Sequence, residues 1–175
     1  MAGRCKMPRP VLVHVTDRHA GTALVVPYSR EKGRDNSVRY EVPLYRMTVS
    51  GSDDSGEEAT AHFKVIRFGV LSRGGKHSVV GLADRQTHTL TRVGYMKGSW
   101  RITGNHLIHD GADRPGSEAW GAIGCIEVTG VGEWQRFERI VRKLSGTQQA
   151  KEIGRAGTLT GEIDAAIRPR LKRAR

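Results

Sequence analysis

Glycine occupies 22 of the 175 positions, and the apolar stretches between the glycines are short, β-branched and alternating. Runs of this kind, bounded by turn-forming residues, read as strands. The sequence "VLVHVTDRHAGTALVVPY" (11–28) predicts two short strands around a turn at "DRHAG". In "VRYEVPLYRMTV" (38–49), Val38, Tyr40, Val42 and Leu44 share one face, and Pro43 predicts an edge position. An acidic, solvated loop follows at 50–59. "HFKVIRFGVLS" (62–72), "VVGLA" and "HTLTRVGYM" continue the strand pattern, and "GSWRITGNHLIH" (98–109) reads as a strand or a pair broken at Gly104.

Helical periodicity enters late. In "GEWQRFERIVRKLSG" (132–146), Trp134, Phe137, Val141 and Leu144 follow 3,4,3 spacing, with Gly146 placed as a C-cap. A shorter helix is expected across "GEIDAAIR" (161–168). The expected fold is therefore mainly β, a β-rich α+β fold. It forms one domain over 1–175, with a helix packed behind the site-bearing strands.

Lys and Arg outnumber Asp and Glu by 29 to 18, a net charge of +11. Such a surface attracts polyanions: nucleic acid, anionic lipid or bacterial cell-wall polymer. Residues 1–10 and 168–175 are expected to be flexible basic ends, the latter with five basic residues in "RPRLKRAR". No segment is apolar for long enough to span a membrane. "VLVHV" is too short for the core of a signal peptide, so export by a non-standard route is expected if the target lies outside the cytoplasm. Two cysteines, Cys5 and Cys125, do not make a disulfide scaffold.

The chemistry concentrates in "NHLIHDGADRPGSEAWGAIGCIEVTG" (105–130). Only a thiolate attacks well, so a catalytic cysteine needs a base, a group that orients the base, and N–H donors for an oxyanion. Cys125 can be the nucleophile and His109 or His106 the base, because imidazole titrates near neutrality. Strand alternation lets only one of the two rings face the cysteine. Asp110 or a backbone carbonyl near Gly111 can orient that ring. Backbone N–H groups at Gly124 and Ile123 can hold an oxyanion. On the residues alone two other readings stay open. Cys125 can be a small buried hydrophobe beside incidental imidazoles. "H-x-x-H…C" can also be read as metal ligands, although no second Cys or His motif follows. No metal and no cofactor are expected.

"LIHDG", a gap, then "GAIGCIEV" and a helix resemble the catalytic-domain family of L,D-transpeptidases, the YkuD-like fold, over roughly 62–145. His109 lies sixteen positions before Cys125. The chain departs from that family's motif at Ala122 and Ile123, where a Ser or Thr and a second His stand, at Asp110, and at Glu127, where an Arg stands. The resemblance extends to divergent L,D-transpeptidase-like toxins delivered by secretion systems. It implies that Cys125 attacks a carbonyl of a peptidoglycan stem peptide while His109 moves the proton, as a transpeptidase or a carboxypeptidase. It also implies an antibacterial effector made in a bacterial cytoplasm and acting in the periplasm or cell wall, with an immunity or delivery protein as partner. Trp100, Trp120, Arg114 and Ser117 are the candidate substrate contacts. The competing expectations are another cysteine amidase, and a basic β-rich nucleic-acid-binding module with an inert buried Cys125. No aromatic-interleaved strand of the base-stacking kind supports the latter.

Overall fold

The computed structural model describes residues 7–95, 98–111 and 123–175. In chain order the elements begin with β1 (Val11–Val25), β2 (Tyr28–Ser29), β3 (Gly33–Arg34), β4 (Tyr40–Ser52) and β5 (Glu58–Ile66). Next come β6 (Phe68–Arg73), β7 (Lys76–Gly81), β8 (Gln86–Thr89), β9 (Thr91–Val93), β10 (Ser99–Thr103) and β11 (His106–Asp110). The order closes with β12 (Ile126–Val128), α1 (Glu133–Ser145), α2 (Ala150–Ala156), β13 (Leu159–Ile163) and β14 (Lys172–Arg173). The fold is mainly β, as expected. One sheet runs β8-β13-β1-β4-β5-β12-β11-β10-β9, with β14 also on β4, and a smaller one runs β3-β2-β6-β7. No helix among the described residues is long and apolar enough to cross a membrane.

Strand β4 divides the interior in two. Tyr45, Met47 and Val49 turn one face to the larger cluster, which holds Trp134, Phe137, Val141 and Leu144 of α1. Tyr40 and Val42 turn the opposite face to a second cluster with Val25, Ile66 and Val70, against which Leu44 and Cys125 pack. Register carries the division into β1: Val13 and Val15 lie opposite Val49 and Met47, and Val25 lies opposite Tyr40.

Several local expectations are corrected. Residues 11–25 form one strand, because "DRHAG" makes register shifts between Val15 and Gly21 while β4 continues past it. β4 is interior to the sheet. Pro43 lies just beyond the last β4–β5 pair, Leu44↔Ile66, so that ladder needs no N–H from it. The sequence at 161–168 is not helical; Leu159, Gly161 and Ile163 alternate inward on β13, parallel to β1. A Cβ at Gly161 would meet Leu90 Cδ2 at 2.8 Å. Helix α2 was not expected, since Ile153 alone of its residues is buried and leaves no stripe to read.

Both expected loose ends are in part held. The part of β4 that β5 leaves unpaired accepts β14, with Lys172 opposite Glu41 in an ion pair and the Ala174 N–H donating to Arg39 O at 2.9 Å. Arg9 donates to Leu144 O at 2.9 Å and Lys143 O at 3.0 Å. A cation there satisfies α1's terminal carbonyls and suits the negative end of its dipole. At 53–57 the Asp53 carboxylate accepts from the Ser55 and Glu57 N–H groups, which ties the acidic loop into a turn.

Gly81 ends β7 at φ 152°, and a Cβ there would lie 2.3 Å from Arg67 O and 2.7 Å from Phe68 Cδ1. Gly81→Ala is expected to cost about 2 kcal/mol through strain and overpacking. Urea unfolding should give a lower midpoint with the slope unchanged.

Candidate active site

Strands β11 and β12 run parallel, with Ile108↔Ile126, His109↔Glu127 and Asp110↔Val128 in register. Ile108, Ile126 and Val128 turn to the larger core. Alternation therefore turns Leu107, His109 and Glu127 to the opposite face. One residue further back, the register sets Cys125 beside Leu107, whose N–H donates to the sulfur. Cys125 packs against the second cluster, on the face that carries His109. Cys125, His109 and Glu127 thus share one surface of two adjacent strands. Diagonal neighbours across such a pair are within reach when one side chain is long or aromatic.

His109 is 4% exposed. Its Nδ1 lies 2.7 Å from Asp110 O. A carbonyl oxygen can only accept, so Nδ1 carries the hydrogen and, in the neutral ring, Nε2 is the lone-pair nitrogen. Burial pushes the His109 pKa down, against the opposing pull of the Asp110 carbonyl. The ring is therefore neutral at neutral pH and presents a base on Nε2.

Alternation puts the Asp110 side chain on the other face of β11, and of the two orienting groups expected it is a backbone carbonyl, that of Asp110, that meets the ring. The other candidate base, His106, has its ring over Gly124, where a Cβ would meet its Cδ2 and Nε2 at 2.5 Å. Gly124 adopts φ 84°, a left-handed turn that a side chain resists. The turn delivers Cys125 to the start of β12. His106 is thus a wall of the turn that carries the backbone N–H groups of Ile123, Gly124 and Cys125.

The half-buried thiol donates to Asn105 O at 3.9 Å, and among the described residues it makes no hydrogen bond to either ring. Burial pushes its pKa up, the Leu107 N–H pulls it down, and Glu127 pushes it up again. A neutral thiol and a neutral imidazole on one face of the sheet suit proton transfer during attack better than a resting thiolate. Iodoacetamide should accordingly modify Cys125 more slowly than a free thiol at neutral pH, and Glu127→Gln should speed the reaction only towards pH 9, where the Glu127 carboxyl, with its pKa pushed up to about 8, is ionised. Intact-mass kinetics between pH 6 and 9 (about the range in which free thiols ionise) would expose a rate equal to a free thiol's, which is the contrary result.

Glu127, named from the sequence only as a departure from the family's motif and not as a site residue, lies on the same face. It is 1% exposed, with Oε2 buried and without a hydrogen-bond partner among the described residues. Burial pushes its pKa up to about 8, and Arg34 on β3 pulls the other way. The signal was present in "CIEV": a residue two after Cys125 on a strand returns to its face.

Trp100 is corrected outright. It is fully buried on the larger core's side, opposite Ile108, and its Nε1–H donates to Glu138 Oε1 at 2.8 Å. Glu138 also pairs with Arg92 at 2.6 Å and Arg142 at 3.1 Å. Trp100 therefore docks α1 on the sheet and cannot line a groove beside Cys125. Arg114, Ser117 and Trp120 lie outside the described residues. Among the described residues no group of three or more His, Cys, Asp or Glu could hold a metal ion. Compared with protein families, curated proteins and solved structures, the chain matches none.

Proposed function

We propose that the chain catalyses cysteine-dependent acyl transfer on peptidoglycan stem peptides, as an L,D-transpeptidase or L,D-carboxypeptidase. The observation that carries this reading is the tautomer of His109: with Nδ1–H held by Asp110 O, its Nε2 is a free base on the face of the sheet that bears Cys125. Cys125 Sγ attacks the acyl carbon of the donor peptide as its proton passes to Nε2. The oxyanion of the tetrahedral intermediate accepts from the N–H groups of Cys125 and Gly124, with Ile123 as a third candidate donor. These backbone groups stand in for the side chain that the family places before its Gly-Cys. Collapse expels the terminal residue's amine, which takes the proton from Nε2, and leaves a thioester on Cys125. An incoming amine or water resolves it and restores the thiol.

The substrate class rests on the order "IHDG…GAIGCIEV…helix", and a charge of +11 suits an anionic cell-wall polymer. The same resemblance supports an antibacterial effector acting in the periplasm or cell wall, with an immunity or delivery protein as partner.

Mass spectrometry of purified peptidoglycan fragments with wild type and with Cys125→Ala tests the reading. Tetrapeptide and pentapeptide donors should lose or exchange their terminal D-alanine with wild type alone. Unchanged donors with folded wild type would move the chemistry to another acyl substrate. Salt-dependent retention of RNA or DNA in that case would favour a nucleic-acid-binding module.

A further inference from the structure

Strand register gathers three cations into one row on the outer face of the larger sheet. Tyr45, Met47 and Val49 of β4 and Phe63 and Val65 of β5 turn inward. Alternation therefore turns Arg46 and Lys64 outward, and they stand directly opposite each other in the β4–β5 ladder. On the other side of Arg46, β1 bulges: Val15 pairs with Met47 and His19 with Tyr45, so residues 16–18 together face Arg46. The Thr16 hydroxyl pins this bulge, donating to Arg46 O at 3.0 Å and accepting from the Arg18 N–H at 3.2 Å. Asp17 lines the cleft at Tyr45 on the inner side, and alternation leaves Arg18 on the side of Arg46. All three cations are exposed, and their strands are about 4.8 Å apart.

Like charges directly opposite across a sheet are destabilising. Among the described residues none of the three forms an ion pair, whereas Arg9, Arg92, Arg136 and Lys172 each do. Asp164, at the end of β13, is engaged by His14 at 2.9 Å. The next pairs along the same face carry no such opposition: Thr48↔His62, Ser50↔Thr60, and Ser52↔Glu58, where the hydroxyl donates to the carboxylate at 2.6 Å.

An unrelieved row of cations suits an anionic partner, and its setting narrows the kind. Duplex nucleic acid is read by an element that enters a groove, which a row across three neighbouring strands of a wider sheet cannot do. Single-stranded nucleic acid stacks its bases on aromatic side chains, and a lipid surface takes up an apolar face. The large apolar residues exposed among those described are Met7, Tyr95, Val131, Ile167 and Leu171, and none lies on β1, β4 or β5. What fits is an extended chain bound through carboxylates alone. We propose that Arg18, Arg46 and Lys64 dock the free carboxylates of peptidoglycan stem peptides and hold the polymer to the protein. The identity of the polymer rests on the function proposed above. Many stems on one strand make the contact multivalent.

Co-sedimentation with purified peptidoglycan sacculi tests the proposal, with Cys125→Ala as the background so that no turnover intervenes. Retention should fall as salt rises. Arg18→Gln, Arg46→Gln and Lys64→Gln together should weaken it about tenfold, the worth of three exposed ion pairs. Arg139→Gln, Lys151→Gln and Arg155→Gln together make the same charge change at exposed positions on the helices and should weaken it far less. Lys64→Glu alone makes the opposed pair attractive. It should bind more weakly yet unfold at a higher urea concentration, so that its loss of binding cannot come from misfolding. Sacculi whose carboxylates have been amidated should retain little protein. The proposal is overturned if the two triple variants weaken alike, if amidated sacculi bind as well as native ones, or if duplex DNA binds more tightly than sacculi at the same salt. Sacculi held through the row while soluble donors stay intact with wild type would sustain the docking row and fail the acyl-transfer reading. Processed donors with both triple variants retained alike would fail the docking row alone.

Discussion

His109→Gln should lower the acyl-transfer rate by about 10²- to 10⁴-fold, the range a positioned general base supplies. Glutamine keeps a donor for Asp110 O and much of the buried volume, but it offers no titratable nitrogen where Nε2 stands. The loss should appear in kcat, with KM little changed, because the ring is assigned to the proton and not to the peptide. Alkylation of Cys125 should persist in the variant, showing that the thiol remains accessible. His106→Gln, which alters only the wall over Gly124, should cost less than His109→Gln. Reversal of that order would make His106 the base and would mean that the shared strand face does not select the partner of Cys125.

The largest expected effect on stability belongs to Glu127. Its carboxyl holds its proton more tightly in the folded chain, where its pKa is about 8, than in the unfolded chain, where it is near 4.5. The contribution of this group is therefore fully present below about pH 4.5 and drains away as pH rises towards 8. One unit is worth about 1.4 kcal/mol, so by pH 7 the group has cost the fold about 3 kcal/mol. Glu127→Gln cannot ionise. The variant should match wild type near pH 4.5 and exceed it by about 3 kcal/mol at pH 7 in reversible urea unfolding. Parallel stability curves between those pH values would mean that the carboxyl is not desolvated as described.

The sequence carried the architecture where one face dominates. The α1 stripe was legible because Trp134, Phe137, Val141 and Leu144 all face one core, and the break at Gly104, φ 51°, separates β10 from β11 as its composition suggested. Legibility failed where pairing overrides local signals. "DRHAG" is a turn by composition, yet the matching of β1 to β4 on both sides of it keeps the strand running. Residues 161–163 suit a helix or a strand, and only the parallel partner β1 decides between them. At the site, Cys125, Gly124 and His109 could be named from their order, whereas the carbonyl that holds His109 depends on backbone direction. Trp100 was misassigned because proximity in sequence to His109 says nothing about which side of the sheet a residue takes.

The two-sided burial of β4 bears on how uniquely this chain folds. A strand with one buried face can slip by two residues against its partner and still present apolar groups inward. Here Tyr40 and Val42 are committed to one side at one end, and Tyr45, Met47 and Val49 to the other side at the other end. A slip by one residue turns Met47 and Val49 outward, brings Arg46 in and empties both interiors together. Competing alignments thus carry a double penalty, which widens the gap between the native arrangement and its decoys. With alignment dictated by the interiors, the hairpin tip at 53–57 is relieved of that task. Changes of length or composition there should leave the β4–β5 register, and with it the surface bearing Cys125, unaltered.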